Sequence, residues 1–150
     1  MTLIMKSCFL SLTILFLWQV ADGAEACKCT PVKIQQAYCR SDVVIKAVVS
    51  GSQMVEAGND TSGNAIKNIE YDIRVTEVYK GPRDIDAVYT SPSDSCGATL
   101  DTGNKLYFIT GKLEDGKVLI SRCDFIELWE DLSIGQKLKP FQCHTFGCGC

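Results

Sequence analysis

Hydrophobic and polar positions alternate with period two between residues 69 and 79. Ile69, Tyr71, Ile73 and Val75 fall on one side, and Glu70, Asp72, Arg74 and Thr76 on the other, the mark of a half-buried strand. Lys80-Gly81-Pro82 ends it. Residues 43–49 are rich in β-branched side chains and predict a buried strand. Further strands are expected over residues 85–90, 106–110 and 118–121, and Asp115-Gly116 between the last two is a strong hairpin-turn signal. Helical spacing occurs in two places. Ile34, Ala37 and Tyr38 share a face within residues 34–41, and Leu128, Trp129 and Leu132 form a stripe in the second half of residues 125–139. Residues 51–64 are polar and turn-rich, an expected exposed loop. Five short strands, two small helices and no strand–helix–strand alternation predict a mainly β domain, a small antiparallel barrel of OB type.

The first 26 residues stand outside this pattern. Lys6 gives a weak positive start, Cys8 to Leu17 is a largely apolar run without charge, and Ala24-Glu25-Ala26 is a small-residue cleavage signal. The run is about ten residues long, whereas a bilayer span needs roughly 20. Residues 1–26 therefore read as a signal peptide, residues 27–150 as the mature domain, and the product as secreted with no membrane partner. In an exported chain, Asn59-Asp60-Thr61 is an N-glycosylation acceptor, with Asn59 as the site.

Composition sharpens this picture at one point. Hydrophobic residues make up 46% and charged residues 22%, which excludes disorder and fits one globular domain. A net charge of -3 without a basic stripe argues against nucleic acid as a partner. The cysteines are the anomaly, nine in 150 residues. Cleavage after Ala26 removes Cys8, leaves an even number, and makes Cys27 the first residue, so that its free α-amino group sits on a disulfide candidate.

Cys27-Lys28-Cys29 and Cys148-Gly149-Cys150 are spaced more tightly than the usual C-x2-C zinc pairs. Oxidising export favours bridges over metal. No H-E-x-x-H, G-x-S-x-G or phosphate-loop motif is present. His144 is adjacent to Cys143, a placement from which a base rarely reaches a nucleophile, and Glu127, Glu130 and Asp131 read as a solvated face. The chain is not expected to be an enzyme.

An ordered set of motifs resembles the inhibitory domain of the tissue inhibitors of metalloproteinases (TIMPs), a netrin-like OB barrel. It runs through Cys27-x-Cys29-x-Pro31, Gln36-Ala37-Tyr38-Cys39, Ser41-Asp42-Val43-Val44-Ile45, Tyr79-Lys80-Gly81-Pro82, Cys96-Gly97, Gly103, Gly111-Lys112, Cys123-Asp124-Phe125-Ile126 and Trp129. The resemblance spans nearly all of residues 27–150. It implies bridges Cys27–Cys96, Cys29–Cys123 and Cys39–Cys148. Cys143 and Cys150 are left over, Cys143 lying outside the family pattern, and are expected as a pair. The second, cysteine-rich domain of vertebrate members is absent from the sequence, so the resemblance is to a single-domain form, expected as a monomer.

The resemblance also implies a mechanism. Cys27 would lie over the catalytic zinc of a matrix-type zinc metalloproteinase and chelate it through α-amine and carbonyl, displacing the attacking water. The chain would hold no cofactor of its own, only a share in the target's zinc. Lys28 would point into the specificity pocket, Cys29, Thr30 and Pro31 would continue along the cleft, and Ser93, Asp94, Ser95 and Cys96 would fill its other side. Lys28 departs from the family, which usually carries a small Ser or Thr there. A netrin-like extracellular binding module without proteinase inhibition is the alternative that Lys28 leaves open, beside the plainer reading of an exposed lysine at a degenerate position.

Overall fold

The computed structural model describes residues 27–150; the leader expected over residues 1–26 lies outside the described residues. Its elements run α1 (Ile34–Arg40), β1 (Val43–Asn59), β2 (Ala65–Lys80), β3 (Ala87–Thr90), β4 (Lys105–Glu114), β5 (Lys117–Leu119), β6 (Ile126–Leu128) and α2 (Ile134–Phe146), with 3-10 turns at Ser93–Ser95 and Trp129–Asp131. Strands β1, β2, β3, β5 and β4 hydrogen-bond in that order, and β4 returns to β1, closing a five-stranded ring. This is the mainly β, OB-like barrel expected. β6 lies outside the ring, paired to β4 through residues 107–109.

Two faces of one wall explain the dense β-branched run at the start of β1. Val43, Ile45, Ala47 and Val49 face the barrel interior, where they meet Tyr71, Ile73, Val88, Tyr107 and Ile109. Val44 faces outward, yet it too is buried, beneath Ile34, Tyr79, Phe108 and Leu132. Phe108 anchors this outer core, edge-on to Phe125 with ring centroids 5.8 Å apart and 6.0 Å from Tyr79. Such aromatic pairs add to the stabilisation from burial alone. The Tyr79 hydroxyl donates to Glu77 at 3.0 Å, and burial with that carboxylate pushes its pKa well above the phenol range.

Three expectations need correction. Residues 51–64 are not a loop: β1 continues to Asn59 and β2 begins at Ala65. Only residues 60–64 turn, with Asp60 Oδ1 accepting from the amides of Ser62 and Asn64, both at 2.9 Å. The ribbon is solvated on both faces, so backbone pairing extends it without leaving a hydrophobic alternation to read. Its register shifts at four places, between Val44 and Ile45, Lys46 and Ala47, Val49 and Gly51, and Glu56 and Asn59, the irregularities by which a long strand bends into a barrel wall. The barrel is also not wholly antiparallel, because β3 and β5 pair in parallel. Finally, the helical stripe expected within residues 125–139 is divided. Ile126–Leu128 is strand, Trp129–Asp131 is 3-10, and the helix starts at Ile134.

The Asp115-Gly116 turn is present, with φ values of 51° and 77°, as a tight β4–β5 hairpin requires. Among the described residues, no helix is long and apolar enough to cross a membrane.

Phe108→Ala is expected to cost about 3–5 kcal/mol, read by denaturant unfolding. Ser41 gives the opposite case. Its hydroxyl is buried with no hydrogen-bond partner, so Ser41→Ala should leave stability unchanged or raise it by about 1 kcal/mol, read as an equal or higher Tm.

Candidate functional site

The arm before α1 has no regular structure, yet it is held at three points. Cys27 is bridged to Cys96 and Cys29 to Cys123, with Cα–Cα distances of 5.3 and 5.1 Å. Ile34 then enters the outer core. Between these anchors Cys27 and Cys29 are half-buried, whereas Lys28, Thr30 and Pro31 are exposed. Pro31 fixes its own φ and restricts Thr30. The side chains that face solvent are thus presented on a backbone with little freedom.

A second segment runs beside it. Ser93, Asp94 and Ser95 form an exposed 3-10 turn on Pro92, with the Ser95 amide donating to the Pro92 carbonyl at 2.9 Å. Cys96 follows in the left-handed region at φ 67°. Gly97 comes so close to the preceding chain that a Cβ there would sit 1.6 Å from the Ser91 carbonyl oxygen. Only glycine fits this position, and it sets the turn that delivers Cys96 to Cys27.

A third segment locks the first two together. The Arg122 amide donates to the Cys96 carbonyl at 3.0 Å, and its guanidinium reaches the Ser93 carbonyl. Arg40 of α1 donates to the Cys123 carbonyl at 2.7 Å. Asp124 accepts from the Ser121 amide at 2.8 Å. The arm and this segment border a shallow groove of about 370 Å³, with Thr30, Pro31, Arg122 and Phe125 among its walls. Nothing in the chain pattern pointed to Arg122; its role depends on two carbonyls brought in from residues 93 and 96.

Among the described residues, no group of three or more His, Cys, Asp or Glu is placed to hold a metal, and Cys27, Cys29, Cys39, Cys96, Cys123, Cys143, Cys148 and Cys150 are all bridged.

Residues 25–150 match the family model described as tissue inhibitor of metalloproteinase. The chain belongs to this family. Its members are inhibitors rather than enzymes. Among relatives, metalloproteinase inhibitor 2 of Cavia porcellus is 46% identical over 149 residues, covering 97% of this chain and 68% of its own length. The Homo sapiens protein of the same name is 46% identical over 145 residues, covering 94% and 66%. That of Gallus gallus is 45% identical over 134 residues, covering 87% and 61%. The chain thus spans about two thirds of the length of these relatives.

The remaining bridges correct the pairing that the family resemblance implied. Cys39 joins Cys150, not Cys148, and Cys143 joins Cys148, not Cys150. Cys143 is buried in the last turn of α2, and Gly147, at φ 82°, turns the chain back after the helix. That brings Cys148 within a Cα–Cα distance of 4.6 Å of Cys143. Cys150, two residues on, then reaches Cys39 of α1 at 5.5 Å.

Gly97→Ala should displace the turn that carries Cys96. We expect a loss of about 2 kcal/mol or more in thermal unfolding, together with a lower yield of the Cys27–Cys96 bridge in peptide mapping. Native stability and a full bridge yield would refute the close-approach argument.

Proposed function

We propose that this chain is a secreted inhibitor of matrix-type zinc metalloproteinases and that Cys27 is the residue that meets the target's zinc. The observation that carries the reading is the arm itself, a segment without regular structure pinned through Cys27–Cys96 and Cys29–Cys123, with Lys28, Thr30 and Pro31 exposed. A catalytic zinc keeps one position open for water. The free α-amine and carbonyl oxygen of an N-terminal residue fill such a position as a chelate. An α-amino group with a pKa of about 7.7–8.0 is neutral often enough at physiological pH to serve. The two bridges lower the cost of ordering the arm on binding.

In this reading Lys28 enters the specificity pocket, while Thr30, Pro31 and the Ser93–Ser95 turn line the cleft on either side. Burying an ammonium in an apolar pocket is costly unless its head reaches water or an acid. Lys28 therefore selects targets whose pocket is deep or acidic. It also motivates the second reading, a netrin-like binding module that uses another face.

Adding one Ala before Cys27 separates the two. An inhibitor of this kind loses at least about 1000-fold in affinity, roughly 4 kcal/mol, when its amine becomes an amide, and unchanged inhibition of a metalloproteinase panel would overturn the mechanism. Lys28→Thr should broaden inhibition across the panel, measured as Ki ratios. Secretion from Met1 is expected to yield a chain that starts at Cys27 and carries a glycan on Asn59. Intact mass before and after glycan removal reads both.

A further inference from the structure

The segment after α2 carries chemistry that inhibition does not use. Among the described residues, Cys150 is the one cysteine that is exposed, whereas Cys143, in the same cluster of bridges, is buried. Cys39 and Cys150 border an open depression of about 590 Å³, with Lys33, Gln36 and Arg40 among its other walls and no carboxylate among the described residues that line it. Lys33 is exposed. The Arg40 guanidinium donates to the Cys123 carbonyl and keeps its charge. An exposed disulfide beside two cations suits attack by a thiolate. Positive charge draws an anionic thiol in and stabilises the thiolate that leaves.

A second acceptor for the Cys39 sulfur stands close by. The Gln35 side-chain amide donates to the Cys148 carbonyl at 2.8 Å, and Gln35 and Cys39, four residues apart in α1, share a helix face. Cys39 is thus beside both cysteines of Cys148-Gly149-Cys150; it is bonded to Cys150, while Cys148 holds Cys143. Gly147 and Gly149 have φ values of 82° and 56°, and a Cβ at either would meet nothing within 4 Å, so the segment has room to swing. We propose that it is a thiol–disulfide exchange site for a small anionic thiol, through which these four cysteines pass between two pairings. The incoming thiolate attacks Cys150 Sγ, forms a mixed disulfide there and expels the Cys39 thiolate. Cys39 then attacks Cys148 Sγ and expels the Cys143 thiolate. Cys143 attacks Cys150 Sγ in the mixed disulfide, and the small thiolate leaves as it came. The products are Cys39–Cys148 and Cys143–Cys150, with no net oxidation or reduction.

The test needs no proteinase, so its failure is separate from that of the inhibitor reading. The full secreted protein is incubated, folded, with reduced glutathione, trapped with N-ethylmaleimide, and its bridges are mapped by mass spectrometry. We expect a glutathione adduct on Cys150 first and the Cys39–Cys148 and Cys143–Cys150 pairs after it. The adduct should form at least about tenfold faster than any at Cys27–Cys96 or Cys29–Cys123. Cysteamine, a cationic thiol, should react about threefold or more slowly at equal thiolate concentration, and Lys33→Glu should narrow that gap. Circular dichroism checks the fold of the variant. If it does not fold, added salt replaces it, since screening should narrow the same gap in the wild-type protein. No adduct, first attack at a bridge of the arm, an adduct without the new pairs, equal rates for the two thiols, or a gap that the folded variant or salt leaves unchanged would each overturn the proposal. So would a folded protein that carries only Cys39–Cys148 and Cys143–Cys150 and resists the thiol.

Discussion

Closure of the ring through the β1–β4 ladder governs where everything else can go. Seven consecutive pairs, from Val43 with Gly111 to Val49 with Lys105, join the two strands. Side chains on each strand must therefore alternate strictly between the barrel interior and the outer face. The interior set fills the ring, and the outer set, Val44 and Phe108 above all, needs a roof, which α1 and residues 125–132 supply. Gly111 sits where the ladder meets β5; a Cβ there would lie 2.8 Å from the Leu119 carbonyl. A side chain at that position would push apart the strands that complete the circle.

The barrel leaves the arm of residues 27–33 without a sheet partner, and covalent bonds do what hydrogen bonds do elsewhere. The bridges from Cys27, Cys29 and Cys39 span 69, 94 and 111 residues of sequence. In the chain-entropy model each loop of this size is worth about 4–5 kcal/mol, less in combination because the loops overlap. Cys143–Cys148 spans five residues and contributes roughly half as much. It is a local clip on the end of a helix. The long bridges bear on global stability, and two of them end on the same short arm.

The sequence made the interior of the barrel legible because burial on one face enforces period two, as in residues 69–79. It made the arm legible because cysteine, proline and the cleavage signal coincide there. It hid what depends on solvated backbone pairing. Residues 51–59 and 65–68 form strands without an apolar face, and residues 126–128 form a strand only because the edge of β4 is free beside them. The exchange of Cys148 for Cys150 was equally hidden, since one glycine separates them and the reversal at Gly147 decides which reaches Cys143. At the candidate site, the named residues of the arm and of residues 93–96 do lie side by side. The Arg122 contacts that join them depend on tertiary placement, which no local pattern encodes.

The fastening of Cys150 to Cys39 has a consequence for wear. Proteolysis requires a stretch of chain to loosen and thread extended through a cleft, and loosening normally begins where a chain frays. Here the first described residue is tied to residue 96 and the last to the helix that follows the arm. Neither Cys27 nor Cys150 can leave the barrel without breaking a covalent bond. The exposed backbone of residues 28–31 could not relax if it were cut, because Cys27, Cys29 and Ile34 remain anchored to the barrel.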